Sequence, residues 1–247
     1  MNILERWLLK LRFNVWARMK INSFTSFDLS HSQFGEDMIV RYLTLETKDG
    51  IYLETKKGFY VDIGAHHPVF YSNTYYLYCK GWRGINIDGI PGIMESFNVL
   101  RLRDINLELL LYPQKTSEKI EYYILNEPAY NTLDKDMAKQ AISQGYKLLE
   151  KRQIQTSTLE DILDSYLPKD TEIDLMTIDI EGLDEAILMS NDWNKYKPKI
   201  LIFEKHNVDF ADIVNLPIVQ YLSSYGYKID SKCGPSIIMK LEVRDYF

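Results

Sequence analysis

The chain reads as an α/β protein built on a doubly wound, mostly parallel sheet, and three observations predict this. Short β-branched and aromatic runs alternate with stretches of helical apolar spacing. The runs are nearly continuous in apolar residues, as in strands buried on both faces. Several end in an acid, and the first of them, Gly58 to Ile63, breaks into a glycine turn at Gly64.

The elements follow in order. Residues 3–20 predict a helix with one apolar stripe (Leu4, Trp7, Leu8, Leu11, Val15, Met19) and a second of Leu9, Phe13 and Trp16. Five basic residues and one acid, Glu5, occupy residues 1–20. Such a helix packs on its own domain, on a partner subunit in a homo-oligomer, or on a membrane surface. We take residues 1–29 as a separate helical segment and 30–247 as the main domain. The polar stretch Ser30 to Asp37 predicts a capped start for a helix over Met38–Leu43.

Strands are predicted at Gly58–Ile63 and Arg83–Asp88, with a helix around Ser72–Tyr78 between them. Pro91-Gly92 opens a helix through Leu100, and Ile105–Leu111 predicts a third strand. Residues 113–157 break the rhythm. Ile120–Leu125 resembles a strand, but Asn126–Thr132 is turn-rich and Gln140–Arg152 is polar, so an insertion over the sheet edge is expected, serving as a substrate lid. Thr158 caps the next helix. Strands Ile173–Asp179 and Lys199–Glu204, helices Leu183–Met189 and Pro217–Tyr225, and a closing pair at 227–230 and 237–240 complete the pattern.

Composition bounds the function. With 247 residues, 46% of them apolar, the chain can bury one α/β core. A net charge of −6 argues against a general nucleic-acid binder. Cys79 and Cys233 match no metal or redox spacing, which points to a reducing, cytoplasmic setting. No apolar run approaches the ~18–20 residues of a membrane span, and charges interrupt every apolar stretch near the N-terminus.

In an open α/β sheet, ligands bind outside the carboxyl ends of the strands. Those ends carry Asp62, His66 and His67, then Asp88, then Asp179 and Glu181, then Glu204. A single acid at a strand end is ordinarily a helix cap or a surface charge. Repetition at four strand ends favours a site. Asp88 falls near the ~20-residue interval after the glycine turn at which an acid grips ribose hydroxyls. Only one glycine of a G-x-G-x-x-G pattern is present, so a dinucleotide site is poorly supported.

Taken together, Ser32-Gln33-Phe34-Gly35-Glu36-Asp37, Val61-Asp62-Ile63-Gly64-Ala65, Asn86-Ile87-Asp88, Thr158–Ile162, Ile178-Asp179-Ile180-Glu181-Gly182 and Pro198–Glu204 resemble the FkbM-type family of S-adenosylmethionine-dependent methyltransferases. The resemblance implies a class I methyltransferase fold, a seven-stranded sheet with one antiparallel strand near its edge. It also implies O-methylation of hydroxyls, often on surface-glycan sugars and sometimes on polyketides. By position, Asp62, Gly64 and Ala65 would lie at the methionine end of the cofactor and Asp88 at its ribose. Asp104 and Asn106 would lie near the adenine or else cap a turn. His66-His67-Pro68 stands where the family usually has Asn and Gly after Gly-Ala.

A sugar hydroxyl is a weak nucleophile, so a base or a metal must activate it. His66, His67, Asp179, Glu181 and Glu204 are the candidate catalytic residues. One arrangement uses a histidine base oriented by Asp179 or Glu204. The other gathers His66, His67, Asp179 and Glu204 around a divalent Mn, Fe or Mg ion. The expected acceptor is a sugar, either a nucleotide sugar or a finished glycan such as capsule or O-antigen. The rivals are a lipid-like or polyketide hydroxyl and a non-catalytic cofactor-binding role.

Overall fold

A computed structural model describes residues 29–48, 51–54, 57–116, 118–127, 130–180 and 182–242, with side chains of 47–48 and 51–54 left aside. The expected N-terminal helix and Glu181 lie outside the described residues. The strands are β1 (Leu45–Lys48), β2 (Ile51–Glu54), β3 (Phe59–Ile63), β4 (Arg83–Asp88), β5 (Ile105–Glu108), β6 (Leu110–Leu111), β7 (Ile120–Leu125), β8 (Leu148–Ile154), β9 (Thr156–Ser157), β10 (Leu175–Ile178), β11 (Ile200–Glu204), β12 (Tyr227–Cys233) and β13 (Ser236–Leu241). The helices are α1 (Glu36–Leu43), α2 (Tyr75–Cys79), α3 (Met94–Leu100), α4 (Lys135–Ser143), α5 (Leu159–Tyr166), α6 (Asp184–Ser190) and α7 (Pro217–Ser224).

Seven strands form one sheet in the order β12-β13-β11-β10-β3-β4-β5. All neighbours from β11 to β5 pair in parallel, while β13 runs antiparallel to both β11 and β12. This is the class I methyltransferase arrangement, with its single reversed strand one place in from the edge. The apolar runs explain the centre. Every residue of β3 and β10 is buried, so both faces need cover. Val61, Ile63, Ile87, Met176 and Phe203 face a large core beneath α5, α6 and α7. Tyr60, Leu175, Ile202 and Ile238 face the other side, with Val40 of α1 and Trp82.

The cap at α1 differs from the simple expectation. Gly35 occupies the cap position in a left-handed conformation, and its own side supplies no cap. Ser32 Oγ instead accepts from the Asp37 amide at 3.3 Å. Asp37 is fully buried and accepts from Ser30 Oγ, His31 N and Ser32 Oγ at 2.6–2.8 Å. Glu36 takes Ser236 Oγ of β13 at 2.9 Å. The two acids of this motif are therefore anchors that tie the chain before α1 to the sheet. Thr158 caps α5 as expected, accepting from the Asp161 amide.

Three local features depart from the sequence reading. The β1–β2 hairpin was not anticipated, although Asp49-Gly50 is a strong two-residue hairpin signal. The third strand stops at Glu108, and Leu110–Leu111 leave the main sheet to pair with β9. The insertion is more regular than expected: β7 and β8 pair antiparallel with α4 between them, and β6 pairs with β9 at its base. Strand β8 is exposed along almost its whole length, so it lacks the apolar alternation that marks a strand. Backbone pairing with β7 holds it. No helix among the described residues is long and apolar enough to cross a membrane.

Candidate functional site

A cavity of about 450 Å³ opens at the carboxyl ends of β3, β4 and β10. Its floor comes from Gly64, His66, Asp88 and Asp179, and one wall from Leu109–Leu111. The insertion supplies the roof through Tyr122, Asn131, Thr132 and Leu133.

Gly64 is the tightest point. Its φ is +77°, and a Cβ there would stand 1.8 Å from the Asp179 carbonyl oxygen. Its amide donates to the Ile87 carbonyl at 2.9 Å. The tips of β3 and β10 thus pack backbone against backbone at a residue with no side chain, and this turn lines the cavity.

Asp88 is buried and holds the same loop. One carboxylate oxygen accepts from the His66 amide at 2.8 Å and the other from the Ile90 amide at 2.8 Å. Burial raises its pKa, against the pull of those amides. Each oxygen keeps a second lone pair for a ligand hydroxyl. His66 lines the cavity with a left-handed backbone, φ 48°. His67 has a structural duty: its Nδ1 accepts from the amides of Val69 and Phe70, both at 3.0 Å. Burial, helped by His66, lowers its pKa to about 4, so the ring is neutral and carries its proton on Nε2.

Asp179 is the unusual acid. Burial, then the neighbouring carboxyls of Asp184, Asp62, Asp88 and Glu36, push its pKa up to about 7. Asp184 is itself buried, with a pKa near 6, among the amides of Glu204, Ile180 and Gly182. A cation bound at this floor would favour the ionised form of Asp179.

Several expected site residues lie elsewhere. Asp62 is buried on the other face of β3, where it accepts from Thr74 Oγ1 at 2.6 Å; burial pushes its pKa up to about 6. Ala65 is buried with Met94 and Phe97 beneath α3. Asp104 and Asn106 are not at the ligand edge. Asp104 precedes β5, at the opposite end of a parallel strand, and accepts from Tyr60 Oη, Gly84 N and Asn86 Nδ2. Asn106 accepts from Asn86 Nδ2 at 2.8 Å. Glu204 pairs with His206 at 3.1 Å. Among the described residues no group of three or more His, Cys, Asp or Glu is placed to hold a metal. The set His66, His67, Asp179 and Glu204 is therefore not assembled, since His67 Nδ1 serves a turn and Glu204 faces His206.

Sequence reasoning missed Gln33, Tyr71 and the 109–111 wall of the cavity. It also missed Arg101, a fully buried guanidinium. Arg101 donates to Thr74 Oγ1 at 2.7 Å and Ser72 Oγ at 3.1 Å, with its charge over the rings of Tyr75 and Tyr78. It fixes the start of α2, and with it the loop that carries His66 to Asn73. Arg101 sits in no motif, so only the tertiary structure reveals it.

These features fit S-adenosylmethionine. Asp88 suits ribose hydroxyls, the Gly64 turn lines the cavity beside it, and the acids of the floor suit a sulfonium cation. The methyltransferase FkbM domain matches residues 62–229. Among solved structures, a TehB-like SAM-dependent methyltransferase from Corynebacterium glutamicum is 9% identical, with a TM-score of 0.41 and coverage of 98% of this chain and 100% of that one. The Methanococcus jannaschii fibrillarin pre-rRNA processing protein is 11% identical, with a TM-score of 0.40 over 85% of this chain and 77% of that one. Curated proteins give no match. With the domain match spanning most of the sheet and the cavity at its carboxyl edge, the chain belongs to the FkbM family of S-adenosylmethionine-dependent methyltransferases.

Proposed function

We propose that the protein is an O-methyltransferase acting on a sugar hydroxyl, with Asp179 as the proton acceptor. One observation carries the reading. Asp179 lines the cavity beside Gly64 and His66, with a pKa near 7. A group with that pKa is largely ionised just above neutrality and still basic enough to take a proton.

Bound S-adenosylmethionine would supply an electrophilic methyl group on a sulfonium, leaving as the neutral thioether. Asp88 would hold its ribose hydroxyls, and the Gly64 turn would lie beside its methionine end. As the acceptor oxygen takes the methyl group, its proton passes to Asp179. His66, which lines the same cavity, orients the acceptor hydroxyl, which must lie ~3–3.5 Å from the reacting carbon. Neither residue needs a metal partner for these roles.

The test is methyl-labelled S-adenosylmethionine with nucleotide-linked sugars, polymer glycans and a long-chain alcohol, with and without chelator. Label on a sugar oxygen is expected, with turnover unaffected by chelator. Label on the long-chain alcohol alone would replace the sugar reading with the lipid-like one.

The insertion is proposed as a lid over this site. Tyr122, Asn131 and Thr132 line the cavity, and a Cβ on Gly182 would meet the Met137 sulfur of α4 at 3.1 Å. Amide exchange over residues 126–152 should slow when cofactor product and acceptor are added. Exchange that ligands leave unchanged would remove the lid role.

A further inference from the structure

A second cavity, of about 550 Å³, adjoins the first. His66 and Tyr71 line both, so the two meet at these residues. The second cavity is bounded by Leu29–Ser32 on one side and by His66, His67, Phe70 and Tyr71 on the other. Three of the chain's four histidines, His31, His66 and His67, lie in its walls. Phe70 is 53% exposed and Tyr71 66% exposed, a pair of large rings left at the surface beside polar groups.

The loop is built to hold this geometry. Tyr71 has φ 55°, a costly conformation for a bulky residue. The next residue anchors it: Ser72 N donates to the His31 carbonyl at 3.0 Å, and Ser72 Oγ receives Arg101. At the other end His67 Nδ1 takes the Val69 and Phe70 amides, and its ring lies 4.8 Å from that of Phe70. The proton of His67 is thereby fixed on Nε2, making it a constant donor at neutral pH.

We propose that this second cavity is the acceptor site and that it takes a pyranose ring. A methyl acceptor must reach the cofactor cavity from a compartment that opens onto it. Asp88 and the 109–111 wall line the first cavity alone, Phe70 lines the second alone, and His66 and Tyr71 line both. An exposed aromatic face suits the C–H face of a sugar ring, and the neighbouring imidazoles suit its hydroxyls.

The inference rests on the sugar O-methyltransferase reading, and the test separates the two. The full chain, saturated with S-adenosylhomocysteine, is mixed with methyl α-D-glucopyranoside, methyl α-D-mannopyranoside, methyl α-D-galactopyranoside, UDP-glucose and 1-decanol. Saturation-transfer NMR reads binding. At least one pyranose should bind, about tenfold or more weakly in Phe70→Ala, with Phe70→Trp near the parent. Phe70 lines only the second cavity, so affinity for S-adenosylhomocysteine should stay within about twofold and report that the variant is folded. A pyranose that the parent methylates but that binds Phe70→Ala unchanged would keep the activity and overturn this site. A pyranose that binds here and is never methylated would keep the site and overturn the activity. Binding of 1-decanol with no pyranose bound would overturn the proposed ligand class.

Discussion

Asp179→Asn is expected to abolish turnover while making the protein more stable at pH 8. The carboxyl titrates near 7 because burial and four neighbouring acids oppose its charge. In the unfolded chain it would titrate at the ordinary carboxylate value, near 4. The folded state therefore binds the proton more tightly. That contribution to stability is complete below the unfolded pKa and is lost as pH rises through the folded one, between about 4 and 7. Asparagine is neutral at every pH and escapes the loss. Its advantage should be small at pH 4 and reach at most ~4 kcal/mol at pH 8. Catalysis has the opposite dependence. The parent's kcat/KM should rise with pH to a plateau, with a midpoint near 7 set by the free enzyme. A bound cation favours the carboxylate, so the midpoint in kcat should lie lower. Thermal melts from pH 4 to 8 and a pH–rate profile read both effects. An active Asp179→Asn protein, or one whose melting temperature tracks the parent's at every pH, would remove the proton-acceptor role.

This opposition explains which parts of the site the sequence made legible. The central strands were readable because strands buried on both faces demand continuous apolar runs, and β3, β4, β10 and β11 supply them. The carboxyl edge was readable because Gly64 and the acids Asp88 and Asp179 interrupt those runs at one end. What an acid does there was not readable. Asp62 pairs with Thr177 of β10, two residues before Asp179, so the two acids lie close together, yet one accepts from Thr74 while the other lines the cavity. What packs against each carboxyl decides its role. Asp104 shows the converse error: its place in the chain near β5 suggested the ligand edge, but it stands at the strand's start and serves a buried network with Tyr60 and Asn86. His67 suits a ligand or base by residue type, whereas two backbone amides claim its Nδ1. The roof of the cavity was hidden for another reason. An exposed strand such as β8 carries no apolar period, so only its pairing with β7 reveals it.

Gly64→Ala is expected to damage the fold and the cofactor site together, and Gly92→Ala supplies the comparison. The two glycines share nearly the same backbone, φ +77° and +78°. A Cβ on Gly92 meets nothing within 4 Å, so its substitution costs only the left-handed conformation, ~1–2 kcal/mol. A Cβ on Gly64 would lie 1.8 Å from the Asp179 carbonyl oxygen and 2.7 Å from its carbon. Both are backbone atoms, and no rotamer change relieves the collision. The tips of β3 and β10 must separate, which breaks the bond from the Asp179 amide to the Ile63 carbonyl, 2.9 Å in the intact protein. Separation also moves the Asp179 carboxyl away from the floor of the cavity. The stability loss should exceed that of Gly92→Ala by ~2 kcal/mol or more. Calorimetry with S-adenosylhomocysteine should show at least about a tenfold loss of affinity in Gly64→Ala and little change in Gly92→Ala. Equal losses in the two variants would trace the effect to backbone conformation alone. Parent-like affinity in Gly64→Ala would mean that the ligand does not approach the chain at this turn.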